Sequence, residues 1–271
     1  MRFQIAYMND AGRRRENQDS LYYATAEIAG KCMVCAAVCD GMGGLERGSY
    51  ASAVLAGAVD RWFTETFSEN GVNWRNLKTS LGLLAGETSR KLTEKGDELH
   101  CRMGTTCVLL LAAGRHFQIM NIGDSRVYRI RNGRIRQLTH DQSLSAAIKG
   151  RKKASGISRE ETPESSVLLQ CVGASCVPEP EFAAGRIRDG DLFLLCSDGF
   201  WRMQEDGDLL LGLAGAAGEE DKMQRALRHL AAGAYRKGET DNMTALTVYA
   251  GKEQHALWTA GRQRQTSRPV R

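Results

Sequence analysis

Apolar residues in the first forty positions fall into runs of strand length. Residues 3–9 and 21–25 read as short strands, and 32–39 form a continuous apolar run that stops at Asp40-Gly-Met-Gly-Gly44. A glycine cluster of that kind predicts a turn. From Ser49 to Phe67 the spacing changes, with Val54, Leu55, Ala58, Val59, Trp62, Phe63 and Phe67 at helical intervals. Residues 77–95 carry a weaker helical pattern. Residues 105–112 and 116–122 then read as strands. Segments 127–131 and 134–138 flank Asn132-Gly133, a strong signal for a hairpin with a type I′ turn. Residues 143–170 are polar and irregular. Residues 192–196 predict another buried strand, ending at Ser197-Asp198-Gly199. A helix follows over 219–237, with Met223, Ala226, Leu227 and Leu230 inward, and residues 243–249 close as a strand.

Hairpin-linked strands with helices before and after argue for antiparallel sheets covered by helices, not for alternating βαβ units. The expected class is α+β. Residues 1–250 read as one domain, followed by a basic, flexible tail over 251–271. The chain has 37 Lys+Arg against 32 Asp+Glu, a formal charge of +5. Much of that excess lies in the tail, at Lys252, Arg262, Arg264, Arg268 and Arg271. Such a tail can touch nucleic acid or an acidic membrane, but a solvated, frayed terminus is the plainer account. Trp258 alone is no stacking platform, so nucleic-acid binding is disfavoured.

Eight cysteines sit mostly within apolar runs such as residues 32–39, where a free thiol behaves as a small buried hydrophobe. The N-terminus has no secretory core, and no stretch approaches the ~20 apolar residues of a membrane helix. The expectation is a cytoplasmic protein with reduced thiols and no membrane span. Cys32-x-x-Cys35 lacks the second pair that a structural zinc site requires.

Four aspartates share one local pattern, each ending an apolar run or sitting in a tight turn: Asp40, Asp124, Asp198 and Asp241. Asp19 lies beside a fifth turn. Any one of them alone reads as a turn residue. Together they predict carboxylates projecting from strand ends into one cleft, where mutual repulsion calls for a positive partner. Hard divalent cations with oxygen ligands, Mn²⁺ or Mg²⁺, fit best. Two such ions ~4 Å apart repel by roughly 15 kcal/mol at a dielectric of ~20, so shared negative ligands are needed. The pair can activate a bridging water as hydroxide, with no protein nucleophile. Consistently, the chain has no Gly-x-Ser-x-Gly elbow, no Walker loop and no Cys-x5-Arg at the obvious cysteines. Arg14 supplies a guanidinium suited to phosphate, with Arg13 and Arg15 as rivals by composition.

The ordered motifs Gly12-Arg-Arg-Arg-Glu-Asn-Gln-Asp19, Cys39-Asp-Gly-Met-Gly-Gly44, Met103-Gly-Thr-Thr106, Asn121-Ile-Gly-Asp-Ser-Arg126, Leu138-Thr-His-Asp-Gln-Ser-Leu144, Leu195-Cys-Ser-Asp-Gly199 and Asp241-Asn242 resemble the metal-dependent protein phosphatases, also called type 2C. The resemblance spans about residues 3–250. It implies a four-layer α/β/β/α sandwich of two antiparallel sheets flanked by helix pairs. It further implies a protein serine/threonine phosphatase of bacterial type, acting on phosphorylated proteins through a metal-bridging hydroxide and opposing a serine/threonine kinase. Asp40 would bridge two ions, with the Gly41 carbonyl on one of them. Asp198 and Asp241 would complete the first, and Asp19 would support the site. Asp124 would hold a third, weaker ion, and Arg14 would bind substrate phosphate.

Three positions depart from the family pattern. Gln18 replaces a common glutamate. Met42 stands where animal relatives carry histidine. The flap segment 145–172 is short and altered, with Lys149, Arg151, Lys152, Lys153, Glu160 and Glu161. His140 is expected to order its loop. A non-catalytic module keeping the same fold would be marked by lost metal aspartates, and all of them are present.

Overall fold

The computed structural model describes residues 1–28, 30–43, 47–66, 72–148, 167–174, 177–251 and the backbone of 264–266. Two antiparallel sheets pack face to face. The first runs in the order β1 (Arg2–Asp10), β12 (Met243–Gly251), β11 (Asp191–Cys196), β7 (Arg126–Arg131), β8 (Arg134–Gln137). The second runs β10 (Glu181–Arg186), β6 (His116–Ile122), β5 (Cys107–Ala113), β3 (Lys31–Met42), β2 (Asp19–Ile28), β13 (Arg264–Thr266). Short β4 (Gly104–Thr105) pairs with the end of β3 and with β9 (Val172–Gly173).

The long apolar run of β3 follows from its place between β2 and β5, where both faces are covered. Val34, Ala36 and Val38 point between the sheets, with Leu21, Val108, Leu110, Phe193, Leu195, Leu246 and Val248. Rings of Phe117 and Phe193 meet edge-on there, 5.1 Å between centroids. Cys35, Ala37 and Cys39 face outward and are covered by α1 (Arg47–Thr66) and α2 (Leu77–Glu98) through Leu55, Val59, Leu81 and Leu92. On the far side, α4 (Asp206–Ala214) and α5 (Glu220–Arg236) cover the first sheet through Leu209, Leu213, Met223 and Leu227. The four-layer α/β/β/α arrangement is therefore present. At Asn132-Gly133 both φ values are positive, 50° and 68°, as a type I′ turn demands.

One expectation needs correcting. β3 does not stop before Asp40 but continues through Asp40 and Gly41 to Met42, because β4 supplies a partner strand there. The turn begins only at Gly43, whose φ is 137°. Strand β10 and helix α4 were not anticipated from the sequence. Most of the basic tail lies outside the described residues, but 264–266 extend the second sheet beside β2. Seven cysteines are described, of which Cys35, Cys39, Cys101, Cys107 and Cys196 carry free thiols, while Cys176 lies outside the described residues. No described helix is long and apolar enough to cross a membrane.

Truncating Phe193 removes the ring at the centre of the inter-sheet core. Phe193→Ala should cost about 3–5 kcal/mol in urea unfolding. A loss below about 1 kcal/mol would show that this packing does not hold the sheets together.

Candidate active site

The five aspartates come from strand ends at one end of the sandwich. Asp19 opens β2 and stands opposite Asp40 in the β2–β3 register. Asp124 follows β6 after Gly123, which adopts a φ of 102° and packs against Thr106. Asp198 begins the short helix α3 (Asp198–Trp201) directly after β11, and Asp241 lies two residues before β12. Since β11 and β12 pair with Cys196 opposite Ala245, these two carboxylates emerge side by side. A Cβ on Gly199 would lie 3.1 Å from that of Asp241.

Hydrogen bonds fix the backbone around this cluster. Thr106 N–H donates to the Asp40 carbonyl at 2.8 Å, and Asp40 N–H donates to Thr106 Oγ1 at 3.0 Å. Gly41 N–H reaches the Gln18 carbonyl at 3.1 Å. A side chain at Gly41 would collide with the Gly48 carbonyl oxygen at 2.1 Å, so glycine is required where α1 meets β3. Asn242 secures the Arg14 loop. Its Oδ1 accepts Gln18 N–H at 2.9 Å, and its Nδ2 donates to the carbonyls of Ala11 and Glu16 at 2.8 and 2.9 Å. Arg14 itself is largely exposed and donates to Asp241 Oδ2 at 3.1 Å.

Crowding sets the electrostatics. Asp19 is buried, accepts Ser197 Oγ–H at 2.8 Å on Oδ2, and leaves Oδ1 without a partner. Burial pushes its carboxyl up to about 6, and Asp241 adds to the rise. Asp40 is pushed well above the usual carboxylate range by burial, then by Asp19, Asp124 and Asp241. Asp124 is raised to about 6 by burial and by Asp141.

Arg202 opposes the shifts at Asp40 and Asp124, with Arg126 also acting on Asp124. One turn along from Asp198, Arg202 donates to Asp198 Oδ2 and stands 3.9 Å from Asp241 and 4.0 Å from buried Glu239. Among the described residues no three acidic, histidine or cysteine side chains close on a single point, and Arg202 is spread between three of the acids. The donor set is nonetheless suited to a hard divalent cation. It consists of carboxylate oxygens, includes the unpartnered Asp19 Oδ1, and is crowded enough to need positive charge.

Asp141 is tied to Arg126 by a two-pronged ion pair at 2.9 and 2.6 Å, and the Arg126 guanidinium lies over the Trp201 ring. Trp201 Nε1–H in turn donates to the Asp124 carbonyl at 3.1 Å. His140 is exposed and bonds Glu181 through Nδ1 at 2.5 Å, ordering the loop as expected. Of the flap segment, residues 149–166 lie outside the described residues.

A family model described as Protein phosphatase 2C matches residues 11–236. The chain belongs to the protein phosphatase 2C family. It is an enzyme of the serine/threonine protein phosphatase type within that metal-dependent family. It is 26% identical over 253 residues to protein phosphatase PhpP of Streptococcus pneumoniae, covering 92% of this chain and 98% of that protein. The solved serine/threonine phosphatase of S. agalactiae superposes with a TM-score of 0.76 at 26% identity, covering 92% of this chain and 99% of that one. The catalytic domain of the serine/threonine protein phosphatase PstP in complex with two manganese ions superposes with a TM-score of 0.72 at 25% identity, covering 92% and 99%.

Within this type 2C fold, three polar residues of the site escaped the sequence reading. Glu239 accepts the N–H groups of Thr240 and Asp241 at 2.8 and 3.0 Å and shapes the Asp241 turn. Ser197 holds Asp19. Arg202 could have been suspected from its spacing of four from Asp198 within a helix.

Asp19 and Asp124 hold protons more tightly folded than unfolded, against an ordinary value of 3.8. The stability they contribute is full below about pH 4 and is lost as pH rises through about 6. In EDTA, the free energy of unfolding should therefore fall from pH 4 to 7, by roughly 2 kcal/mol per group. Asp19→Asn should flatten its share of that slope in urea titrations. An equal slope in the variant would show that Asp19 does not carry the effect.

Proposed function

We propose that the chain hydrolyses phosphoserine and phosphothreonine in proteins, opposing a serine/threonine kinase, with residues 1–250 as the catalytic unit. The observation that carries this reading is the gathering of Asp19, Asp40, Asp124, Asp198 and Asp241 at one sandwich end, with an orphaned carboxylate oxygen and Arg14 at the rim. Asp40 is central, since Asp19, Asp124 and Asp241 all act on it. It would be the residue shared between two cations, with the Gly41 carbonyl beside it. Asp198 and Asp241 would complete the first ion, Asp19 would support it, and Asp124 would hold a third. When bound, Mn²⁺ or Mg²⁺ supplies the activated water and offsets charge on the phosphoryl oxygens. Arg14 would orient the phosphate through its forked donors. PstP, which superposes over nearly all of this chain, carries two manganese ions, and that supports the pair.

Hydrolysis of p-nitrophenyl phosphate and of a phosphothreonine peptide, each with and without Mn²⁺, tests the reading. Asp40→Asn and Asp198→Asn should abolish the Mn²⁺-dependent rate, and full turnover in either would refute the assignment. A binding module that merely keeps the fold would release no product in any condition.

Arg202 competes with cations for the same carboxylates. Arg202→Gln should tighten Mn²⁺ binding, measured calorimetrically, by roughly five- to tenfold, about 1 kcal/mol. Weaker or unchanged binding would remove Arg202 from this role.

A further inference from the structure

A second charged region lies at the opposite end of the sandwich. β7 leaves the acidic end at Arg126 and reaches its hairpin turn five residues later, roughly 17 Å away at the rise of a strand. Its inter-sheet face changes character on the way. Val127 packs between the sheets, but the next two residues on that face are Arg129 and Arg131. Across the hairpin, Arg129 stands opposite Arg136, and Arg131 opposite Arg134. Directly opposed side chains share a face with Cβ atoms about 5 Å apart, and like charges there destabilise the sheet. Two such pairs in succession are a liability unless something offsets them.

Two adjoining cavities open on these arginines. One of ≈ 580 Å³ is lined by Arg129, Arg131, Arg134 and Arg136 with Asn132 and Ile135. Its neighbour of ≈ 290 Å³ shares Arg129 and Arg131 and adds Arg115, Arg186, Ile187 and Arg188. Buried Asp191 takes up part of the charge, bonding Arg131 at 2.5 and 2.6 Å and the Arg188 N–H at 2.7 Å. Among the described residues no other carboxylate lies within ion-pair distance of these arginines. Arg129 Nε is buried with no hydrogen-bond partner, and burial followed by Arg131 holds its guanidinium below the usual range.

The composition of the groove selects its ligand. Its cations are all arginines, whose planar forks match phosphate oxygens better than the point charge of lysine does. The two cavities share residues, so one ligand carrying several linked negative groups can engage both. No aromatic ring lines either cavity, which leaves nothing to stack on a base, and two isoleucines do not make an acyl channel. We propose that the groove between the β7–β8 hairpin and the β10–β11 connection binds a linked-phosphate anion, two or more phosphates in one chain. The shared chemistry belongs to inorganic polyphosphate and to the polyphosphate tail of a nucleotide.

Calorimetric titration of the full chain with sodium tripolyphosphate in EDTA tests this without cations at the acidic end. Arg134→Gln/Arg136→Gln should weaken binding by roughly tenfold or more, while Arg14→Ala should leave it unchanged. Both replaced side chains are exposed, and the double variant should melt no lower than the parent because two like-charge pairs are gone. Equal affinity for tripolyphosphate and ATP would support recognition of the phosphate chain alone. Tighter ATP binding that is still lost in the double variant would support a nucleotide as the source. Parental affinity in the double variant would overturn the proposal. So would orthophosphate bound as tightly as tripolyphosphate, or a glutamate-rich peptide bound more tightly, which would make this a docking face for acidic protein. None of these outcomes bears on the Asp40 and Asp198 tests, so the two readings fail separately.

Discussion

Carboxylates forced together at the end of two packed sheets repel one another, and that repulsion governs how the site is built. Asp19 and Asp40 face each other across one strand pair of the second sheet, while Asp198 and Asp241 come from neighbouring strands of the first. Bringing the two pairs together depends on the sandwich itself. Its inter-sheet core of Leu21, Val38, Leu195 and Leu246 fixes how the strand ends meet. Burial then raises the cost of ionising each acid, so the cluster is a strained arrangement held by the apolar layers behind it. Small polar groups do the remaining positioning. Ser197 orients Asp19, Glu239 shapes the Asp241 turn, and Asn242 ties that turn to the loop carrying Arg14.

Two arginines approach the cluster and differ in kind. Arg14 sits on a loop at the rim, exposed, with a single contact to Asp241. Arg202 sits on a helix turn with contacts to three acids. The two guanidiniums therefore differ in what each can reach. A rim guanidinium can turn toward an incoming phosphate, whereas one spread among acids neutralises the cluster itself. Arg202 thus already occupies carboxylate oxygens of Asp198, Asp241 and Glu239 that a cation would need.

Much of this was legible in the sequence because it is local. Helices α1 and α5 declare themselves by period, the β7–β8 hairpin by Asn132-Gly133, and the aspartates by apolar runs that end in Asp-Gly or Asp-Ser. What was missed depends on distant partners. β3 extends through Gly41 because Thr105, 64 positions later, pairs with it. β10 is a half-exposed edge strand without a clean alternation. Arg202 gains its meaning from Glu239 and Asp241, nearly forty residues on. The arginine ladder is an instructive case between these. The two-residue turn fixes the register, so Arg129 against Arg136 and Arg131 against Arg134 could have been derived from the turn type alone.

The arginine groove and the acidic end share strand β7, which raises the question of whether the groove merely helps attract the reacting phosphate. Distance argues against that. Arg136 stands opposite Arg129, three strand positions or roughly 10 Å from Arg126, and Arg134 stands opposite Arg131, roughly 17 Å away; both exceed the ~8 Å over which exposed charges act at physiological salt. Between them, the inter-sheet face carries Val127 and Phe193 rather than a continuous polar path. A phosphate held by Arg134 and Arg136 is therefore too far away to be passed to the aspartates, and its charge is screened from them. Like charges facing each other across a two-stranded ladder cost stability in every molecule, whether or not substrate is present. Steering of substrate does not account for that cost, whereas an anion seated on the ladder itself offsets it directly.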